Sequence, residues 1–206
     1  IRGLAAATSG KHAVALKHFE RVQASPDLLP SLEQAKGRSH LSLAQFELAL
    51  GHLQQALLYK PDDAQSHYLL GVTERQLGNL EGARRFFRHA VMLEPTLGAA
   101  HFELGALALQ SGDAQKAVGH FNSAATHLPL APEVHNNLGL SYQGLGQLEE
   151  ADASFRKSID LLPSYAEAWF NLGLLLRHRG SSEAVAAIDR ALALNPALKQ
   201  VLPDGS

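Results

Sequence analysis

The chain contains no cysteine. That excludes a disulfide framework, a thiolate zinc site and a cysteine nucleophile, and it selects no compartment. Nor is there a surplus of charge of either sign: 18 Lys and Arg against 20 Asp and Glu leave a formal net charge of −2. A nucleic-acid binder needs a strong basic surplus on one face, so no nucleic-acid partner is expected. No apolar run approaches the roughly 18 residues of a membrane span. The first residues, IRGLAAATSGKHA, are too short and too polar for a signal-peptide core. A start without methionine leads to the expectation of a piece of a longer protein, and leaves the compartment open with the cytoplasm as default. Catalytic signatures are missing as well. There is no G-x-S-x-G, no H-E-x-x-H and no phosphate-cradling glycine loop. No catalytic residue, cofactor or metal is expected, and the chain reads as a non-enzyme.

What is present is a period. Of 206 residues, 46% are apolar, enough to bury a core. Gly3, Gly37, Gly71, Gly105, Gly139 and Gly173 are spaced by 34. A second track runs Gly10, Ala44, Gly78, Gly112, Gly146 and Gly180 at the same spacing. Ala15, Ala49, Ala83, Ala117, Ala151 and Ala184 form a third, and Phe19, Leu53, Phe87, Phe121, Phe155 and Ile188 a fourth. A fifth is Val22, Ala56, Ala90, Ala124, Ser158 and Ala191. Pro61, Pro95, Pro129, Pro163 and Pro196 close the units, whereas the first closes irregularly at Pro26 and Pro30. The last unit lacks one residue in its turn, RGSSEAV against LGQLEEAD. Fixed periods of this length signal a repeat array.

Each unit carries two segments of about 14 residues with apolar positions at i, i+3, i+4 and i+7, the pattern of amphipathic helices. They are termed A and B. The spacing predicts A over about 64–77 and B over about 80–93 in the third unit. Gly78 supplies the left-handed residue that ends A, and GNLEGA, GDAQKA and GQLEEA place a polar cap at the start of B. A glycine inside helix A, such as Gly71, costs about 0.5–1 kcal/mol relative to alanine. The expected compensation is a close approach of helix B through its small Ala83 and Ala90.

The stretches WFNLG from Trp169 and HNNLGLSYQGLGQLEEADASF from His135, with Pro163 after it, resemble the tetratricopeptide repeat. The resemblance covers about residues 1–198. It implies an all-α, right-handed superhelical solenoid of six helix-turn-helix units, about 1–29, 30–63, 64–97, 98–131, 132–165 and 166–198. These form a single solenoid over 1–202 with a tail at 203–206. The family's usual Trp at the start of helix A is replaced by His67, His101 and His135, and only Trp169 matches it.

The resemblance further implies a concave groove lined by A helices, a peptide-binding architecture. Its groove-facing positions are the second, fifth, sixth, ninth and about the twelfth of each unit. Candidate peptide-binding residues carried over in this way are Asn137, Asn171, Asn136, Tyr68, Phe102, Phe170, Arg75, Glu103 and Arg177, with Asn136 at the groove edge. A carboxamide offers two donors and an acceptor, so Asn137 and Asn171, one repeat apart, suit an extended peptide backbone. The pair is similar to the asparagine ladder of O-GlcNAc transferase and the peroxisomal import receptor, two rungs long. The family's carboxylate clamp is not expected. Its lysine position holds Tyr68, Phe102, Asn136 or Phe170, and Glu133 and Glu167 stand where its basic pair begins.

The histidines His67, His101 and His135 invite a metal reading, but equivalent atoms of stacked repeats lie roughly 10 Å apart, far beyond zinc bonds of about 2.0–2.1 Å. They are expected to fill the aromatic packing slot between helices. His18, His52 and His120 read as solvated surface of helix B. RRFFRH from Arg84 is expected to be an exposed basic face with Phe87 turned inward. LEEAD from Leu148 opens a helix, where acids complement the macrodipole.

At the C-terminal end, ALKQVL is expected to add one or two turns rather than a full solvating helix. Self-association through the last B helix therefore joins a protein or peptide as an expected partner. At the other end, Ile1 to Thr8 reads as the latter part of an A helix. The expected function is a non-catalytic protein-interaction module binding an extended segment in the groove. The alternative is the non-catalytic arm of a longer enzyme of glycosyltransferase, sulfotransferase or aspartyl β-hydroxylase type, presenting substrate or driving oligomerisation.

Overall fold

The computed structural model describes residues 2–22 and 24–202. Ile1 and the expected tail at 203–206 lie outside the described residues. Among these, every regular element is helical, as the 34-residue period requires. The chain forms two compact units, Ile1–Ala100 and His101–Ser206. The first contains α1 (Arg2–Thr8), α2 (His12–Phe19), a 3₁₀ turn at Pro26–Leu28, α3 (Leu29–Ser42), α4 (Phe46–Tyr59), α5 (Ala64–Gln76) and α6 (Leu80–Leu93). Helix α7 (Gly98–Gln110) begins at its close. The second continues with α8 (Ala114–His127), α9 (Pro132–Gly144), α10 (Leu148–Leu161), α11 (Ala166–His178), α12 (Ala184–Leu194) and a 3₁₀ turn at Pro196–Val201. Odd helices are A and even helices are B.

The turn between A and B has one cause throughout. At its end each A helix puts a residue into the left-handed region, with φ of 82° at Gly78 and 73° at Gly146. The next amide then reaches back five residues: Asn79 N–H donates to Glu74 O at 2.8 Å and Gln147 N–H to Tyr142 O at 2.9 Å. This is the Schellman closure of a helix. Ala44 holds the same place at φ 55°, and Gln45 N–H still donates to His40 O at 2.9 Å. Asn79 and Asp113 then cap α6 and α8, accepting from Gly82 N–H at 3.0 Å and Lys116 N–H at 3.1 Å. The longer Gln147 makes no side-chain cap to α10.

The glycine inside helix A accommodates a ring, rather than only the small alanines anticipated from sequence. A Cβ added at Gly71 would lie 2.5 Å from Phe87 Cε1, and one at Gly139 2.5 Å from Phe155 Cε1. Phe87 and Phe155 are fully buried, flanked by the equally buried Ala83, Ala90 and Ala151. The large B-helix residue thus seats directly on the A-helix backbone, a ring at Phe87, Phe121 and Phe155 and an aliphatic chain at Leu53 and Ile188, and its apolar burial stabilises the repeat.

The first and last repeats depart from the pattern. Helix α2 stops at Phe19, so Val22 lies outside the helix and is 48% exposed instead of joining the fifth track. Ser25 before Pro26 is extended, with ψ 157°, as a residue preceding proline prefers. In the last repeat the missing turn residue shortens α12 to 11 residues against 14 in α10.

Candidate functional site

The fourth residue of α5, α9 and α11 sends a ring N–H to a proline carbonyl, and this explains the missing tryptophans. His67 Nε2 donates to Pro61 O at 2.9 Å, His135 Nε2 to Pro129 O at 3.4 Å, and Trp169 Nε1 to Pro163 O at 3.0 Å. The acceptor is always the proline carbonyl six residues upstream. A carbonyl only accepts, so these histidines carry their proton on Nε2. The slot asks for a flat ring with one N–H at its far edge, and histidine meets that as tryptophan does.

The fifth position divides into two chemistries. Tyr68 and Phe102 turn inward, their rings 5.9 Å from Phe87 and 5.7 Å from Phe121, and Phe170 is only 7% exposed. Where the position is an amide, it stitches consecutive A helices together. Gln34 Nε2 donates to Asp63 Oδ2 at 2.7 Å and to Ser66 Oγ at 3.1 Å, joining α3 to α5. Asn136, 4% exposed, accepts from Asn171 Nδ2 at 2.9 Å, joining α9 to α11. Asn136 therefore lies beneath the A-helix surface, and one donor of Asn171 is already engaged.

On the α9–α11 face of the second unit, Asn137 and Asn171 are half-buried, with Leu140, Leu174 and Arg177 partly exposed beside them. Among the described residues no side chain hydrogen-bonds the Asn137 carboxamide, while its backbone carbonyl accepts from Ser141 Oγ at 2.8 Å. Glu133 and Glu167 are exposed at the N-terminal ends of the two helices. Burial, followed by the charges of Glu167 and Glu133, raises the Tyr165 phenol above its ordinary value. Glu103 is 7% exposed on α7. Tyr68 and Arg75 stand on α5 in the first unit, both half-buried.

Other polar clusters have structural work. Glu149 pairs with Arg179 at 3.3 Å, while Arg156 bonds Asp152 at 2.6 Å and Glu183 at 3.0 Å. These groups line a cleft of about 440 Å³ and tie α10 to the turn before α12. His52 and His120 are half-buried partners of helix A rather than solvated surface: His52 Nδ1 lies 2.6 Å from Glu33 Oε2, and His120 Nδ1 3.3 Å from His101 Nδ1. Sequence reasoning missed them because it compared histidines between repeats, whereas the contacts run between A and B within one repeat. Among the described residues no cluster of three metal-ligating side chains occurs. No described helix is long and apolar enough to cross a membrane.

The sequence matches the tetratricopeptide repeat over residues 35–96 and 136–199. No curated protein matches it. Among solved structures, MamA residues 41 to the end from Desulfovibrio magneticus RS-1 is similar with a TM-score of 0.71 at 21% identity, covering 89% of this chain and 100% of that one. YrrB, described as a tetratricopeptide-repeat protein with an unusual peptide-binding site, gives 0.70 at 20% identity, covering 83% and 91%. A chain of the APC/C hetero-tetramer Cut9-Hcn1 gives 0.77 at 19% identity, covering 94% of this chain and 39% of its own. At these identities the likeness is one of fold.

Proposed function

The chain belongs to the tetratricopeptide-repeat family, and we propose that it is a non-catalytic protein-interaction module holding an extended peptide on the α9–α11 face of its second unit. The observation that carries this reading is Asn137, a half-buried carboxamide with no side-chain partner among the described residues. Its two donors and one acceptor match the C=O and N–H of one peptide unit. Asn171, one repeat on, keeps its carbonyl oxygen and one N–H for the same purpose while Asn136 fixes its orientation. Leu140 and Leu174 supply an apolar floor, and Arg177 closes the far end. Glu133 and Glu167 favour a peptide with a lysine or arginine near its neighbouring end. Phe170 and Asn136 are buried in α11 and α9 beneath this face, Phe102 and Glu103 are candidates on the preceding A helix, α7, and Tyr68 and Arg75 are the corresponding candidates on the first unit. The unusual peptide-binding site for which YrrB is described gives the fold a precedent.

The test is fluorescence anisotropy with a panel of extended peptides of differing charge, run against the native chain and Asn137→Ala. A basic peptide should bind, and the variant should weaken it about tenfold or more, since each lost hydrogen bond is worth about 0.5–1.5 kcal/mol. N-methylation of one peptide amide should weaken binding to the native chain in the same way. Equal affinity for the native chain and Asn137→Ala overturns the assignment.

A further inference from the structure

Three A–B histidine pairs occur among the described residues, and they differ in one geometric respect. His40 and His52 stack with an interplanar angle of 3° and centroids 5.1 Å apart. Their Nδ1 atoms are taken up elsewhere, by Gln45 Oε1 at 2.8 Å and Glu33 Oε2 at 2.6 Å. His67 and His89 also stack, at 16° and 5.3 Å. Ring-nitrogen lone pairs lie in the ring plane, so stacked rings do not aim them at a common point. His101 on α7 and His120 on α8 are instead tilted by 42°, and their Nδ1 atoms lie 3.3 Å apart.

That separation is a chelating bite. Two zinc–imidazole bonds of about 2.0–2.1 Å at a tetrahedral angle place the nitrogens about 3.3–3.4 Å apart. Both rings are half-buried. The equivalents His67 and His135 carry their proton on Nε2, where it donates to a proline carbonyl. The same tautomer in His101 turns its Nδ1 lone pair toward His120. Without metal, one of the two Nδ1 atoms donates to the other across the gap. With metal, both Nδ1 atoms would ligate, and a ring bound through Nδ1 carries its remaining proton on Nε2.

We propose that His101 and His120 form a two-histidine site for a late first-row divalent cation, the class suited to imidazole. The affinity order should follow the general series, with Cu²⁺ above Zn²⁺ and Ni²⁺. The site is independent of peptide binding, because it lies between a helix A and its own helix B.

The experiment is isothermal titration of the intact chain with Cu²⁺ and with Zn²⁺ in a non-coordinating buffer, beside His101→Gln, His120→Phe and His67→Gln. His120→Phe preserves the fold by the repeat's own precedent, since Phe86 stands at that position one repeat earlier. Melting in EDTA checks each variant. A saturable site of one ion per chain is expected, at least tenfold weaker in His101→Gln and His120→Phe and unchanged in His67→Gln. Metal should raise the melting temperature of the native chain and His67→Gln alone. Affinity retained in folded His120→Phe, or no saturable binding by the native chain, overturns the proposal.

Discussion

Asn171 on α11 donates its side-chain N–H to Asn136 Oδ1 on α9 at 2.9 Å, across one repeat. The two amides play unequal parts, because Asn136 is buried and Asn171 is half-exposed. Asn171→Ala leaves a buried oxygen without a donor and should cost about 1–3 kcal/mol. Asn137→Ala removes a half-buried amide that holds no side-chain partner among the described residues, and should stay within about 0.5 kcal/mol of the native chain. Urea unfolding of both variants separates the cases. Equal stability of Asn171→Ala and the native chain would remove the stitch from the account.

The ring seated on a backbone makes a second prediction. Gly139→Ala gains about 1 kcal/mol of helix propensity, yet its Cβ falls 2.5 Å from a ring carbon of the fully buried Phe155. A locked ring cannot retreat cheaply, and overpacking typically costs about 1–3 kcal/mol. The substitution should be neutral to destabilising by about 2 kcal/mol, and Gly139→Leu worse. A gain in stability for Gly139→Ala would show the ring to be mobile.

Ala44 is the converse case. It closes its helix at φ 55°, where the equivalent residues are glycine. A left-handed residue with a Cβ costs roughly 1–2 kcal/mol, partly offset because glycine loses more chain entropy on folding. Ala44→Gly should therefore stabilise the first unit by about 0.5–1 kcal/mol, read as a higher thermal or urea midpoint. A lower midpoint would mean that the closure tolerates alanine without strain.

The period, the helix-ending glycines and the prolines were legible because each is imposed by the backbone within a few residues. Helices α5 and α6 fall within a residue of the expected spans for that reason. The inner workings of the A-helix face were less legible. Asn136 and Asn137 are adjacent in sequence, but about 100° of helix rotation separates a buried stitch from a half-exposed amide. The partner that decides this, Asn171, is 35 residues away. The same holds for Tyr68 and Phe102, whose inward turn depends on Phe87 and Phe121 nineteen residues on. The proline carbonyl that explains His67 and His135 lies close by in sequence, yet only the fold reveals that the ring N–H reaches it.

The last prediction concerns acid. Burial of Asp63 opposes its charge, but hydrogen bonds from the Ser66 hydroxyl and Ser66 N–H, then Lys60, outweigh that and hold its carboxyl below the ordinary 3.8. A group whose folded value is depressed contributes stability that is fully present above its unfolded value and lost as pH falls through the folded one. Asp63→Asn keeps a capping oxygen for Ser66 N–H but cannot titrate. The stability difference between the native chain and Asp63→Asn should thus be constant above about pH 5 and shrink steadily below 3.8. Urea midpoints taken across that range give the comparison. A difference that stays constant down to about pH 2.5 would mean that the carboxylate's charge contributes nothing at this helix start, and that its capping oxygen alone matters.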